Sequence, residues 1–307
     1  MIARRTWLKA TDEFRSRMGL QSGEQSKVSI ADTIRPWVMK RYSQSVPSHL
    51  HAFPHAVDVD KADVIAASYN VHKCVGMDGR FDPARVQKVI AELDADVVAL
   101  QEVDQRFGDR AGLLDLPRLR KEAGLVPVSL VPTRNSHGWH GNLVLCREGL
   151  AHSARQIALP GVEPRGALIV DLEMPFGPLR IVAAHLGLLR RSRALQVQAI
   201  LSAIRADHEI PTLLMGDLNE WRLGPRSSLL GLEGAFAKPL GLVPSFPANF
   251  PVLALDRILG NHAGMIARTQ AHESPLARTA SDHLPLKAWV TLPEHLRHGK
   301  DVKSAAA

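Results

Sequence analysis

The stretch Val64–Glu102 constrains the fold more than any other part of the chain. Val64–Ser68 is a short apolar run, and Tyr69-Asn70-Val71-His72 follows it. Asp82–Leu93 then places Val86, Val89, Ile90 and Leu93 at helical spacing, behind an Asp cap and a proline in the first turn. Val97–Leu100 is a second apolar run, and it ends in Gln101-Glu102. The pattern predicts a β-α-β unit whose two strands are buried and both finish in polar side chains.

The same grammar returns later. In PTLLMGDLNEW, Pro211–Trp221, the run Thr212–Met215 predicts a buried strand that stops at Gly216, after which come Asp217, Asn219 and Glu220. Leu168–Leu172 and Leu179–Ala184 flank MPFGP, which reads as a hairpin, and the second run ends at His185. Ser192–Ile204 predicts a helix. Leu253–Leu259 carries Asp256 and Arg257 inside an apolar run, and Ser281-Asp282-His283 precedes a last strand, Leu286–Val290. Short apolar runs with few helices between them predict an α/β protein with mixed or antiparallel sheets, not a doubly wound parallel sheet. No GxGxxG or P-loop pattern opens a helix, which argues against a nucleotide-cofactor fold.

Composition bounds what such a chain does. At 307 residues and 45% hydrophobic it has ample core for a globular domain. No apolar stretch approaches the ~20 residues of a membrane span. Its start lacks the apolar core of a secretory signal. Two cysteines, Cys74 and Cys146, make neither a disulfide framework nor a zinc site, so a reducing cytoplasm is the expected setting. The net charge of +7 is uneven: residues 1–61 hold ten basic and six acidic residues, whereas 63–290 hold 25 and 23. Residues 1–61 read as a partly helical appendage with a proline-bearing linker, 62–291 as the catalytic body and 292–307 as a polar, frayed tail. The basic excess of 1–61 offers an electrostatic contact with an anionic membrane or nucleic acid. The sequence gives no oligomeric state.

Taken singly, Asn70, Glu102, Asp217 and the Asp282-His283 pair have an ordinary reading as turn or solvated loop residues, and His185 as a satisfied sheet histidine. Asp256 is harder to set aside, because an unpaired carboxylate in an apolar run is costly and calls for a partner, naturally an imidazole. Glu102, Asp282 and the oxygen of Asn70 are hard oxygen donors, which suit Mg²⁺ or Mn²⁺ better than zinc.

Seven motifs stand in a fixed order: Tyr69-Asn70, Leu100-Gln101-Glu102, Gly141–Arg147 (GNLVLCR), Ala184-His185-Leu186, Gly216–Asn219 (GDLN), Leu255–Ile258 (LDRI) and Ser281–Pro285 (SDHLP). Together they resemble the endonuclease/exonuclease/phosphatase superfamily, across residues 63–290. In style they are most similar to bacterial sphingomyelinase-like, lipid phosphodiesterase-like members, because the first motif runs on through His72, Gly76, Asp78 and Gly79. The resemblance implies a four-layer α/β/β/α sandwich with two packed mixed sheets, and divalent-metal-dependent hydrolysis of a phosphodiester in a phospholipid, another small molecule, DNA or RNA. It implies that Glu102 binds the metal with help from Asn70 and Asp282. Asp217, held by Asn219, would orient or deprotonate the attacking water. His283, oriented by Asp256, would meet the scissile phosphate, and His185 would stabilise the transition state or protonate the leaving oxygen. His72, His140, Asn142 and Arg165 are candidates to touch substrate, as are Arg147 and Arg193, each with a structural reading beside it. Trp139 in the loop of His140 would stack on a base or rest on a lipid surface. The competing reading is a catalytically inactive phosphate-ligand-binding module on the same fold.

Overall fold

The computed structural model describes residues 62–105, 110–130, 135–150, 152–205, 209–239 and 241–297. The readings made above for 1–61 and 298–307 lie outside the described residues. The β-α-β unit is the seed of one sheet. Strand β1 (Val64–Asn70) lies parallel to β2 (Val97–Gln101), with Ala66 opposite Val97 and Asn70 opposite Gln101. The crossover is helix α1 (Pro83–Glu92), whose first turn is closed by Asp82 Oδ1 accepting the Arg85 N–H at 2.9 Å. On the other side of β1 runs antiparallel β11 (Leu286–Val290), and antiparallel β4 (Leu143–Arg147) flanks β2. The edges are β10 (Ile266–Ala271) and β3 (Leu125–Pro127), giving the order β10-β11-β1-β2-β4-β3. Helix α2 (Leu116–Ala123), capped by Asp115, precedes β3.

The second sheet repeats the plan. Strands β7 (Gly177–Ala184) and β8 (Thr212–Asp217) are parallel and joined by α3 (Arg190–Ile204). Antiparallel β6 (Arg165–Met174) and β9 (Asp256–Gly260) flank them, and β5 (His152–Leu159) forms an edge, in the order β5-β6-β7-β8-β9.

Side-chain alternation then builds the layers. Inward residues of both sheets, such as Ala66, Ala99 and Ala288 from the first and Leu168, Ile181 and Leu213 from the second, form one shared core. Outward residues of the first sheet, Tyr69 and Leu100 among them, meet Val86, Val89 and Ile90 of α1. Outward residues of the second, Ile169, Val182 and Leu214, meet Val197 and Ile200 of α3. The result is helix, sheet, sheet, helix. Both faces of the central strands are covered, which is why their sequences are apolar throughout and not alternating.

Several expectations need correction. Strands β5 and β10 carry no continuous apolar run, because edge strands need only one dry face, and β3 is only three residues long. β8 continues through Gly216 to Asp217 instead of stopping at the glycine. A Cβ on Gly216 would lie 1.8 Å from the Ala184 carbonyl oxygen, so the close approach of β7 and β8 requires glycine there. Asp256 opens β9 and does not interrupt it. Described residues of the expected frayed tail are tied down: Leu292 is buried, and Arg297 Nη2 pairs with Asp63 Oδ2 at 2.7 Å. No helix among the described residues is long and apolar enough to cross a membrane.

Candidate active site

The C-terminal ends of the two parallel strand pairs lie on one rim of the sandwich, and the polar residues that end them meet there. At three of these ends the backbone turns sharply through the left-handed region: at His72 after β1 (φ 45°), at Glu102 after β2 (φ 60°) and at Asn219 after β8 (φ 52°). Such φ values are uncommon for non-glycine residues and accompany functional turns.

Asp217 is the centre. Its Oδ2 accepts the Asn70 amide Nδ2–H at 3.0 Å, and its Oδ1 accepts the Asn219 backbone N–H at 3.0 Å. His185 Nε2 approaches Oδ2 to 3.4 Å and His283 Nε2 to 3.7 Å. All three ionisable groups are buried. His283 Nδ1–H donates to Asp256 Oδ2 at 2.8 Å, and the Ser245 hydroxyl donates to the same oxygen. The partner that Asp256 requires is thus the imidazole. Asn219 holds Asp217 through its backbone, while its side-chain Nδ2 donates to the Leu186 carbonyl at 2.9 Å and so fixes the loop after His185.

The electrostatics follow from burial and neighbours. Burial opposes the charge of His283, but Asp256 and Asp217 outweigh it and raise its pKa. Burial pushes the Asp217 carboxyl up, against the pull of His283. Burial and the nearby Arg165 guanidinium bring His185 well below the ordinary histidine value, so its ring is neutral. At Glu102 burial works against ionisation, yet the positive groups around it, with the Lys73 ammonium in direct contact, outweigh it and bring the carboxyl to about 2.

Glu102 follows β2, which runs parallel to β1 with Gln101 opposite Asn70, and so stands on the same rim as Asn70. Its carboxylate accepts the Lys73 ammonium in a direct ion pair. Asn70 Oδ1 accepts the His72 N–H at 3.0 Å, and Ser281 Oγ donates to the Asn70 carbonyl at 2.7 Å. Asp282 Oδ1 stands 3.7 Å from His72 Nδ1, which donates to the Val75 carbonyl at 2.9 Å, and 4.0 Å from His283 Nε2. Among the described residues no three His, Cys, Asp or Glu side chains gather as a metal cluster. The site offers one ionised carboxylate and an amide oxygen, the donor set of a cation that keeps most of its own water.

The other candidates divide. Arg165 donates through Nη2 to Glu163 at 2.9 Å, and its buried Nε has no protein partner among the described residues. His140 Nδ1 lies 3.1 Å from the Pro164 carbonyl, and burial, followed by Arg110, lowers its pKa. Asn142 is buried and spends its Nδ2 on the Gly166 carbonyl at 3.0 Å and the Trp139 carbonyl at 3.2 Å, so it ties the Trp139 loop to β6, and its Oδ1 has no partner among the described residues. The Trp139 indole is anchored to the Ile157 carbonyl at 2.9 Å. Arg147 is removed from the site: it pairs with Asp94 and Asp96, which precede β2, at the opposite end of that strand from Glu102. Arg193 is buried in a network with Glu220. Sequence reading passed over Lys73, although it sits beside His72 in the first motif, and over Ser245, and gave Ser281 no role of its own, because the contacts of both serines depend wholly on tertiary placement.

The arrangement can be set beside known proteins. The sequence model of the Endonuclease/Exonuclease/phosphatase family matches residues 67–283. The Uncharacterized protein YbhP of Escherichia coli is 30% identical over 249 residues, covering 73% of this chain and 94% of that one. Among solved structures, an endonuclease/exonuclease/phosphatase from Beutenbergia cavernae is similar at a TM-score of 0.58 and 23% identity, covering 73% of this chain and 70% of that one. The mannosyl-6-phosphatase of Bacteroides thetaiotaomicron gives 0.55 and 16%, covering 75% and 100%. D. rerio TDP2 complexed with a single-strand DNA product gives 0.54 and 17%, covering 73% and 97%. These structural likenesses show the fold. The family match over most of the domain, with its motifs converging on one rim, identifies the chain as a member of the endonuclease/exonuclease/phosphatase family.

Proposed function

We propose that this protein is a phosphoesterase that cleaves phosphodiester bonds by attack of an activated water on phosphorus. The observation that carries the reading is Asp217: a buried carboxylate gripped by Asn70 and the Asn219 amide, with two imidazoles within 3.7 Å, one of them backed by Asp256.

Asp217, with its raised pKa, suits the task of orienting water and taking its proton near neutrality. The His283 imidazolium, held by Asp256, brings positive charge to a phosphoryl oxygen and a proton for the leaving oxygen. The neutral ring of His185 is suited to hydrogen bonding, not to proton delivery, so the acid role falls to His283. Arg165, with an unspent Nε, is placed to meet phosphate. Glu102, the Asn70 oxygen and Asp282 would hold Mg²⁺ or Mn²⁺. When bound, the ion supplies charge neutralisation on the phosphoryl oxygens. The inactive-module reading would need one of these positions to be chemically incompetent, and each carries a competent side chain.

The test is hydrolysis of bis-p-nitrophenyl phosphate, plasmid, abasic-site DNA, sphingomyelin and phosphatidylglycerol with Mg²⁺, Mn²⁺ or EDTA. Asp217→Asn should lower kcat by about 10²–10⁴-fold, and Glu102→Gln should raise the metal concentration needed for half activity. Hydrolysis that persists in EDTA and in Asp217→Asn would refute the reading.

A further inference from the structure

Four loop segments are tied together beside the catalytic rim. Gly161 packs against Ser192 of α3, and Glu163 Oε1 accepts the Leu188 N–H at 2.7 Å. Arg193 donates to the carbonyls of Gly187 and Leu188, to Ser228 Oγ and to Glu220 Oε2. Arg190 Nε donates to the Arg226 carbonyl at 3.1 Å. This network joins 161–163, 187–191, 220–222 and 226–228 into one rigid surface. It begins two residues after His185 and three after Asp217.

What the surface exposes is unusual. Val162 is 81% exposed, Leu188 58%, Leu189 52% and Trp221 44%. A single exposed leucine means nothing, but large apolar side chains gathered on adjoining loops do. Interleaved with them are the exposed Arg190, Arg191 and Arg226, and Arg222, whose guanidinium lies 4.9 Å above the Trp221 ring. Segments 161–165, 187–193 and 219–230 contain six arginines and two glutamates. Both glutamates are consumed, Glu163 by Arg165 and the Leu188 amide, Glu220 by Arg193, Arg222 and Ser228. Arg222 and Leu230 also line a cleft of about 120 Å³ whose walls include Leu223, Leu229 and Phe236.

Aliphatic side chains and a tryptophan set among arginines, of which Arg190, Arg191 and Arg226 pair with no carboxylate among the described residues, are the chemistry of an anionic membrane interface. The leucines enter the acyl boundary, the indole sits at headgroup level, and the guanidinium groups meet lipid phosphate. A single-stranded nucleic acid face would instead carry aromatic platforms along a basic groove. We propose that this face docks on the surface of an anionic phospholipid bilayer. Resting on the hydrolase reading above, the docking would present a headgroup phosphodiester to Asp217 and His283. The face lies outside residues 1–61, so it is distinct from any contact made by that basic segment.

The test uses the full chain and sedimentation with vesicles of equal phosphatidylcholine and phosphatidylglycerol, and of phosphatidylcholine alone, in EDTA so that no turnover is required. Binding to the anionic vesicles should fall about tenfold or more in Leu188→Ser/Leu189→Ser/Trp221→Ser. It should fall by a similar factor in Arg191→Ala/Arg226→Ala. Both variants should keep the parent melting temperature, since the altered side chains are exposed. Unchanged vesicle binding in both variants overturns the proposal. So does a triple variant that loses single-stranded oligonucleotide binding or self-association while keeping vesicle binding. A protein that binds anionic vesicles through this face but hydrolyses no phosphoester refutes the hydrolase reading alone; one that hydrolyses soluble phosphodiesters but ignores vesicles refutes the docking alone.

Discussion

Replacing Glu220 by Gln should destabilise the fold by about 3 kcal/mol at neutral pH, and the loss should shrink in acid. Glu220 is fully buried, and its carboxylate accepts from the Ser228 hydroxyl at 2.7 Å, the Ser228 and Arg222 amides at 2.9 Å each, and Arg193 at 3.1 Å. Burial alone would raise its pKa, but these donors outweigh burial and bring it to about 2. An unfolded glutamate titrates near ~4.3, so the difference corresponds to ~3 kcal/mol when the group is ionised in both states. Breaking a buried ion pair by removing one partner costs ~3–5 kcal/mol, an independent figure of the same size. The depressed pKa means that the stabilisation is full above the unfolded value and is lost as pH falls through the folded one. Urea denaturation of Glu220→Gln and the parent should therefore differ by ~3 kcal/mol at pH ~7 and by about half of that at pH ~3. A difference below ~1 kcal/mol at neutral pH, or one independent of pH, would refute the reasoning.

Two other outcomes are expected. Asp256→Asn removes the larger of the two carboxylate influences that hold the His283 imidazolium, so the alkaline limb of the kcat/KM profile should move toward neutrality; a limb that stays in place would show that His283 is not the group being titrated. Gly216→Ala forces a Cβ against the Ala184 carbonyl between β7 and β8, and should cost about 3 kcal/mol, read as a lowered melting temperature. An unchanged melting temperature would mean that the strands part there without penalty.

The sequence revealed those features of the fold and site that local physics dictates. Buried central strands must be apolar on both faces, so β1, β2, β7 and β8 were readable as runs, and their polar terminators marked one edge. The contact between Asp256 and His283 was legible because a carboxylate in an apolar stretch must find a counter-charge. Edge strand β5 was not, since its exposed and half-buried residues alternate without an apolar run. Arg147 misled for a related reason: the antiparallel pairing of β4 with β2 sends the end of β4 away from the rim, and pairing direction is a tertiary fact. Lys73 was passed over because nothing local distinguishes it from a solvated lysine, and only the sharp turn through His72 and Lys73 delivers its ammonium to Glu102.

The hydrogen bond from Asn70 to Asp217 has a wider meaning. Asn70 ends a strand of one sheet and Asp217 a strand of the other, and His283 and Asp256 likewise approach from opposite sheets. Neither half of the sandwich holds a complete reaction centre. A slip of one sheet over the other by a single residue, ~3.3 Å, would separate both pairs while leaving each sheet and much of the apolar core formed. Turnover is thus a gauge of sheet-on-sheet registry, and it should disappear before secondary structure does when the protein is loosened by acid or mild denaturant.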